Sequence, residues 1–93
     1  MTNFNELLDL SKSIITTYKQ KELILLSPYI YEGPVTMQYL PYGGIQSVFN
    51  YHLIINTVNG FVTADNLIYN NKKMTTKEFV ELYPNLVNEI LPN

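Results

Sequence analysis

Phe4, Leu7, Leu8, Ser11, Ile14, Ile15 and Tyr18 recur at 3.6-residue spacing, opposite a polar face of Glu6, Asp9, Lys12, Ser13, Thr16 and Lys19. Asn3 and Glu6 stand ahead of this stripe at capping-box spacing. The pattern therefore predicts an N-terminal helix that must lay one face on a sheet or on a second helix. Glu22 to Leu26 is a short apolar run ended by Ser27-Pro28, and reads as a buried strand or as one more turn of that helix. After the breakers Pro28, Gly33 and Pro34, the segment from Val35 to Leu40 alternates as a strand should, until Pro41-Tyr42-Gly43-Gly44 ends it.

Phe49 to Thr57 is dense in aromatic and β-branched residues, and Asn59-Gly60 follows where a tight type I′ turn belongs. With that turn setting the register, Val58 faces Phe61, Thr57 faces Val62, Ile55 faces Ala64 and Ile54 faces Asp65. Leu53, Ile55, Val62 and Ala64 then share an apolar face. His52, Ile54, Asn56, Thr63 and Asp65 share the other, which is either solvated or functional. Asn66 to Tyr69 continues the second arm, Asn70-Asn71 is a further turn signal, and Lys72 to Met74 is a short return strand. Thr75-Thr76-Lys77-Glu78 matches a capping box, so a helix starts near Thr76. Pro84 interrupts it and suits the first turn of a second short helix carrying Leu86, Val87, Ile90 and Leu91.

This order predicts an α+β fold in one domain over residues 1–93. An antiparallel sheet of about four strands would carry an N-terminal helix and C-terminal helices on one face, in the order α-β-β-β-β-α. At 93 residues and 10.8 kDa, folding buries roughly 65% of the extended chain's surface, enough for a small core. No uncharged run is long enough for a membrane helix, and the acid- and amide-bearing N-terminus does not read as a signal peptide, so the cytoplasm is the expected location.

Composition narrows the chemistry. There is no cysteine, which excludes thiol catalysis, disulfides and sulfur-ligated zinc. Six lysines, no arginine and a net charge of −2 leave poor material for tracking phosphates or reading guanine, so no nucleic-acid partner is expected. His52 is the only imidazole. The assumed register sets it diagonally from Asp65, with Asn56 and Thr63 on the same face, a pair that admits a small-molecule site or modest hydrolysis. The simpler reading is a surface histidine on a solvated strand. Glu22, Glu32, Asp65, Glu78 and Glu81 show no metal-ligand spacing around it, so neither a metal nor a cofactor is expected. Gly43-Gly44 lacks the Gly-Lys-Ser/Thr continuation of a phosphate loop and reads as a bend.

Tyrosine is the unusual component, with eight in the chain. Tyr29, Tyr31, Tyr39 and Tyr42 lie in a segment broken by prolines and glycines. A tyrosine side chain offers large contact area, few rotatable bonds and a hydroxyl, so these four form the candidate binding surface unless some of them merely cover the core. Eleven asparagines, nine isoleucines and no arginine point to A/T-rich coding. In size and composition the chain resembles the small accessory proteins of bacteriophages and mobile elements of low-GC bacteria, a resemblance of style that rests on no particular motif. The expected function is a non-enzymatic protein-binding module, such as an inhibitor of a host or anti-phage defence protein. The alternatives are a homo-oligomeric assembly protein that pairs through the Val35 to Leu40 edge, and a ligand binder using His52 and Asp65.

Overall fold

The computed structural model describes residues 2–35 and 39–92. Within them the fold is mostly β: β1 (Ile14–Tyr18), β2 (Lys21–Leu26), β3 (Tyr29–Ile30), β4 (Ile45–Phe49), β5 (His52–Thr57), β6 (Gly60–Thr63), β7 (Asn66–Tyr69), β8 (Lys72–Thr75) and one short helix, α1 (Thr76–Leu82). Two antiparallel four-stranded sheets run in the orders β1-β2-β7-β8 and β3-β6-β5-β4. The expected α+β arrangement of a single sheet with helices at both ends is overturned.

The N-terminal helix is absent because its polar residues bond the backbone locally instead of capping a helix. Asn3 Oδ1 accepts from the Asn5 N–H, and Asp9 Oδ1 accepts from both the N–H and the hydroxyl of Ser11. These Asx turns compete with helical bonding wherever Asn or Asp sits near a chain reversal. The second half of the presumed stripe is β1, in which Ile14, Thr16 and Tyr18 point into the core while Ile15 is exposed. Phe4 is fully buried, but Leu7 is 76% exposed, which no helix facing a core would tolerate.

Three hairpins close with two-residue turns whose residues all take positive φ: Lys19-Gln20, Asn50-Tyr51 and Asn70-Asn71. This is the backbone of a type I′ turn, whose twist matches that of the flanking strands. Only the asparagine pair announces itself in the sequence. The Asn50-Tyr51 turn splits the expected Phe49–Thr57 strand, leaving β4 before it and β5 after it.

The fourth hairpin corrects the Asn59-Gly60 turn. Ile55 pairs with Val62, Asn56 with Phe61 and Thr57 with Gly60, two positions away from the expected register. Val58 and Asn59 make the turn and Gly60 supplies the positive φ (113°) after it, the geometry of a turn followed by a glycine bulge. Thr57 Oγ1 fixes the turn by accepting from Asn59 N at 3.1 Å and donating to Gly60 O at 2.7 Å. A shift of two preserves faces, so Leu53, Ile55, Val62 and Ala64 are all buried together as the alternation requires.

The sheets are joined where two paired strands bend together. Leu26 pairs with Asn66 in the first sheet and Tyr29 with Thr63 in the second, with Ser27-Pro28 facing Ala64-Asp65 at the bend. Ser27 takes φ 48° and Pro28 removes a donor, which ends one ladder and starts the other at a corner. Leu23, Leu25 and Leu67 from one sheet and Ile45, Leu53, Ile55 and Val62 from the other form the core, closed by Phe4, Phe79, Leu86 and Leu91.

The start of α1 agrees with the sequence. Thr75 Oγ1 accepts from Glu78 N at 3.1 Å while the Glu78 carboxylate receives Thr75 N at 3.5 Å, a complete capping box. The helix ends at Tyr83 (φ −125°, ψ 81°), held extended by Pro84. The second C-terminal helix does not form. Asn88 takes φ 74°, and the segment instead runs along β4: Ile45 N donates to Glu89 O at 2.7 Å and Asn88 N to Ile45 O at 2.9 Å. Val35, Tyr39 and Leu40 lie outside any strand, and the remainder of the expected Val35–Leu40 strand, residues 36–38, lies outside the described residues.

Candidate binding surface

The outer face of the second sheet carries His52, Ile54 and Asn56 of β5, the positions that alternate with core residues Leu53 and Ile55. Ile54 stands apart from the main core and is nevertheless fully buried. Against this face lie the described parts of the tyrosine-bearing segment, on either side of residues 36–38. Tyr31 N donates to Phe61 O at 2.8 Å, and the Tyr31 ring lies 5.5 Å from the His52 imidazole. Pro34 and Val35 line a shallow cavity of about 260 Å³ with Ser47 and Phe49 of β4. Farther along, Asn56 holds the segment from three sides: its Nδ2 donates to Leu40 O at 2.8 Å, its carbonyl accepts Gly43 N at 2.7 Å, and its N–H donates to Gly44 O at 2.9 Å. Both ends of the segment are thus anchored to strands.

The four sequence-selected tyrosines take different places on it. Tyr29, in β3, donates its hydroxyl to Asp65 Oδ1 at 2.6 Å across the corner. Partial burial, together with the nearby Asp65 carboxylate, pushes its phenol up to about 12. Tyr31 folds back on its own loop, donating to Pro34 O at 2.7 Å. The fold-back passes so close to Gly33 that a Cβ there would overlap the phenol, so a side chain at this position requires the Tyr31 ring to swing away. Tyr39 is fully exposed and Tyr42 is 41% exposed. No ring contact joins any two of the four among the described residues. They are spread along one covering segment and do not form a stacked cluster.

Sequence reasoning passed over Phe49 and Tyr51 at the tip of the β4–β5 hairpin, where they are 47% and 50% exposed. The Lys77 ammonium sits 4.9 Å from the Tyr51 ring centroid. The available signal was Asn50, which as a turn residue would have set Phe49 and Tyr51 at a hairpin tip.

His52 and Asp65 are not brought together. His52 Nδ1 lies 3.3 Å from Phe49 O, and its ring faces Tyr31. Asp65 belongs to the corner, with its carboxylate on Tyr29 and its carbonyl on Thr76 N at 2.9 Å. Asp65 lines a cavity of about 350 Å³ with Leu26, Ser27, Tyr29, Asn66 and Lys73, from which His52 is absent. Among the described residues no three His, Asp or Glu side chains converge as a metal site would need. Among the described residues no helix is long and apolar enough to cross a membrane. Comparison with protein-family models, with curated proteins and with solved structures gives no match to this chain.

Proposed function

We propose that the chain is a non-enzymatic protein-binding module whose docking surface is the Tyr29 to Gly44 segment, whose described parts lie against the second sheet. The observation that carries this reading is the setting of Tyr39, a large ring wholly in solvent on a segment fastened at both ends by Asn56 and Phe61. A ring so placed contributes nothing to the core, and its loss of freedom on binding is small because the backbone beneath it is already held. Tyr42, three residues on, is also partly exposed. Small size and A/T-rich residue usage extend the proposal to an inhibitor from a phage or mobile element, acting in the cytoplasm on a host or defence protein.

The test is affinity capture with the immobilised chain, followed by titration of the captured protein against Tyr39→Ala and Tyr42→Ala. Each variant is expected to unfold like the parent and to weaken the complex by about 1 to 3 kcal/mol. Unchanged binding in both variants overturns the assignment.

A further inference from the structure

Two four-stranded sheets have four edges, and on three of them described residues bond or guard part of the strand. On β1, Ile15 O accepts Thr2 N at 2.7 Å and Ile15 N donates to Thr2 Oγ1 at 3.0 Å, while Thr16 Oγ1 reaches Pro92 O. On β4, both backbone groups of Ile45 are taken by Asn88 and Glu89. On β8, Lys72 and Lys73 are exposed, the charged residues that discourage strand addition. Among the described residues nothing is hydrogen-bonded to the outer edge of the fourth, the two-residue β3, which carries no lysine.

Its unused bonding groups can be identified from the register. Tyr29 pairs with Thr63, and Tyr31 N donates to Phe61 O, so the odd-numbered residues turn their N–H and C=O toward β6. In an antiparallel ladder the residue between them must point the other way. The N–H and C=O of Ile30 therefore face outward, and no described residue bonds them. Tyr29 and Ile30 are 38% and 39% exposed.

We propose that this edge pairs with the same edge of a second copy of the chain, antiparallel about a two-fold axis through Ile30. The segment is self-complementary in that register. Ile30 exchanges both of its free hydrogen bonds with the second copy's Ile30, and Tyr29 falls opposite the second copy's Tyr31 at the non-hydrogen-bonded sites, where side chains approach most closely. Two aromatic cross-strand pairs result. Glu32 falls opposite Pro28, so the acidic residues of the two copies stand at opposite ends and do not confront each other. The second sheets merge into one of eight strands, β4-β5-β6-β3 continued by β3-β6-β5-β4. So short a strand buries less than the roughly 1,200 Å² of a stable interface, so the pairing is weak and concentration-dependent. It occupies the Tyr29 to Tyr31 end of the proposed docking segment, whereas the partner-binding reading is tested at the other end, by Tyr39 and Tyr42, so either can fail without the other.

Sedimentation velocity and amide NMR on the intact chain, from about 20 µM to about 1 mM, decide the matter. The expected result is a sedimentation coefficient that rises with concentration while the Ile30 amide shifts and gains exchange protection. Ile30→Pro deletes an N–H that β6 does not use, at an edge where proline is tolerated. That variant should keep the parent's melting curve and lose self-association at least about tenfold. Ile30→Lys, a charge at the same half-exposed position, should do the same without altering the backbone. A chain monomeric throughout the range overturns the proposal, as does association unchanged in a folded variant. Association without any change at the Ile30 amide would place the contact elsewhere and is equally fatal.

Discussion

Tyr18, Tyr69 and Tyr83 lie under the helix, whereas Tyr29, Tyr31, Tyr39 and Tyr42 lie over the second sheet, and the same residue type does opposite work in the two places. In the first region three tyrosines surround Phe79 with ring centroids 5.1 to 6.0 Å apart, each ring touching the other three at tilted or edge-on angles. The Tyr69 hydroxyl is satisfied by Tyr18 O at 2.8 Å, and the Lys19 ammonium lies 5.6 and 5.5 Å from the Tyr18 and Tyr83 rings. In the second region no ring packs on another tyrosine, and Tyr39 touches solvent on all sides. The difference is one of backbone placement. Tyr18 and Tyr69 occupy inward positions of paired strands, where alternation forces them into the core. Tyr31, Tyr39 and Tyr42 fall between strands, with no such compulsion. Composition alone therefore says nothing about which tyrosines hold a fold and which are free for a partner.

The largest effect that would sharpen this contrast belongs to Phe79. It is fully buried at the centre of the aromatic group, so Phe79→Ala should cost about 3 to 5 kcal/mol, read by urea unfolding. A loss below about 1 kcal/mol would mean that the cluster is not a structural unit. A smaller effect is expected at Asn59, whose side chain bridges the β5–β6 turn to the N-terminal segment. Its Oδ1 accepts Leu8 N at 2.8 Å and its Nδ2 donates to Leu8 O at 3.0 Å. Asn59→Ala should cost about 1 to 2 kcal/mol and raise amide exchange across residues 4–10. Tyr69→Phe keeps the ring and deletes the bond to Tyr18 O, so about 1 kcal/mol is expected from the same unfolding measurement.

The smallest effect depends on pH. The Tyr29 phenol is raised in the folded chain from its ordinary 10.0 to about 12, so folding favours its neutral form. The resulting stabilisation is complete below about pH 10 and is lost as pH rises through about 12. Burial also raises Tyr18 and Tyr69, with the same sign. Comparison of the parent with Tyr29→Phe isolates the first residue: the variant should lose part of the stability fall between about pH 10 and about 12, and identical curves would remove the Asp65 bond from the account.

The features legible in the sequence were those in which the deciding interaction is local. The capping box at Thr75 and Glu78, the extended Tyr83 before Pro84 and the alternation in β5 and β6 all survive. The N-terminal helix failed because Phe4, Ile14 and Tyr18 fit a helical stripe while Ile14, Thr16 and Tyr18 also fit a strand, and tertiary pairing with β2 chose between them. The Lys19-Gln20 turn uses residues with no marked preference for positive φ, so its hairpin was invisible, while the Asn50-Tyr51 turn offered only the single signal of Asn50. At the candidate surface, the choice of Tyr29, Tyr31, Tyr39 and Tyr42 rested on their loop setting. The anchorage of the stretch around Tyr39 and Tyr42 by Asn56 was out of reach, because it depends on where the returning chain meets β5.

The most direct test sets one tyrosine from each region side by side: unfolding free energies of Tyr69→Ala and Tyr39→Ala, measured in the same buffer by the same urea titration. The account predicts a loss of about 3 kcal/mol or more for Tyr69→Ala and a change within about 0.5 kcal/mol for Tyr39→Ala. Comparable losses at the two positions would contradict it, because Tyr39 would then belong to the fold and could not be the free surface on which the proposed binding rests.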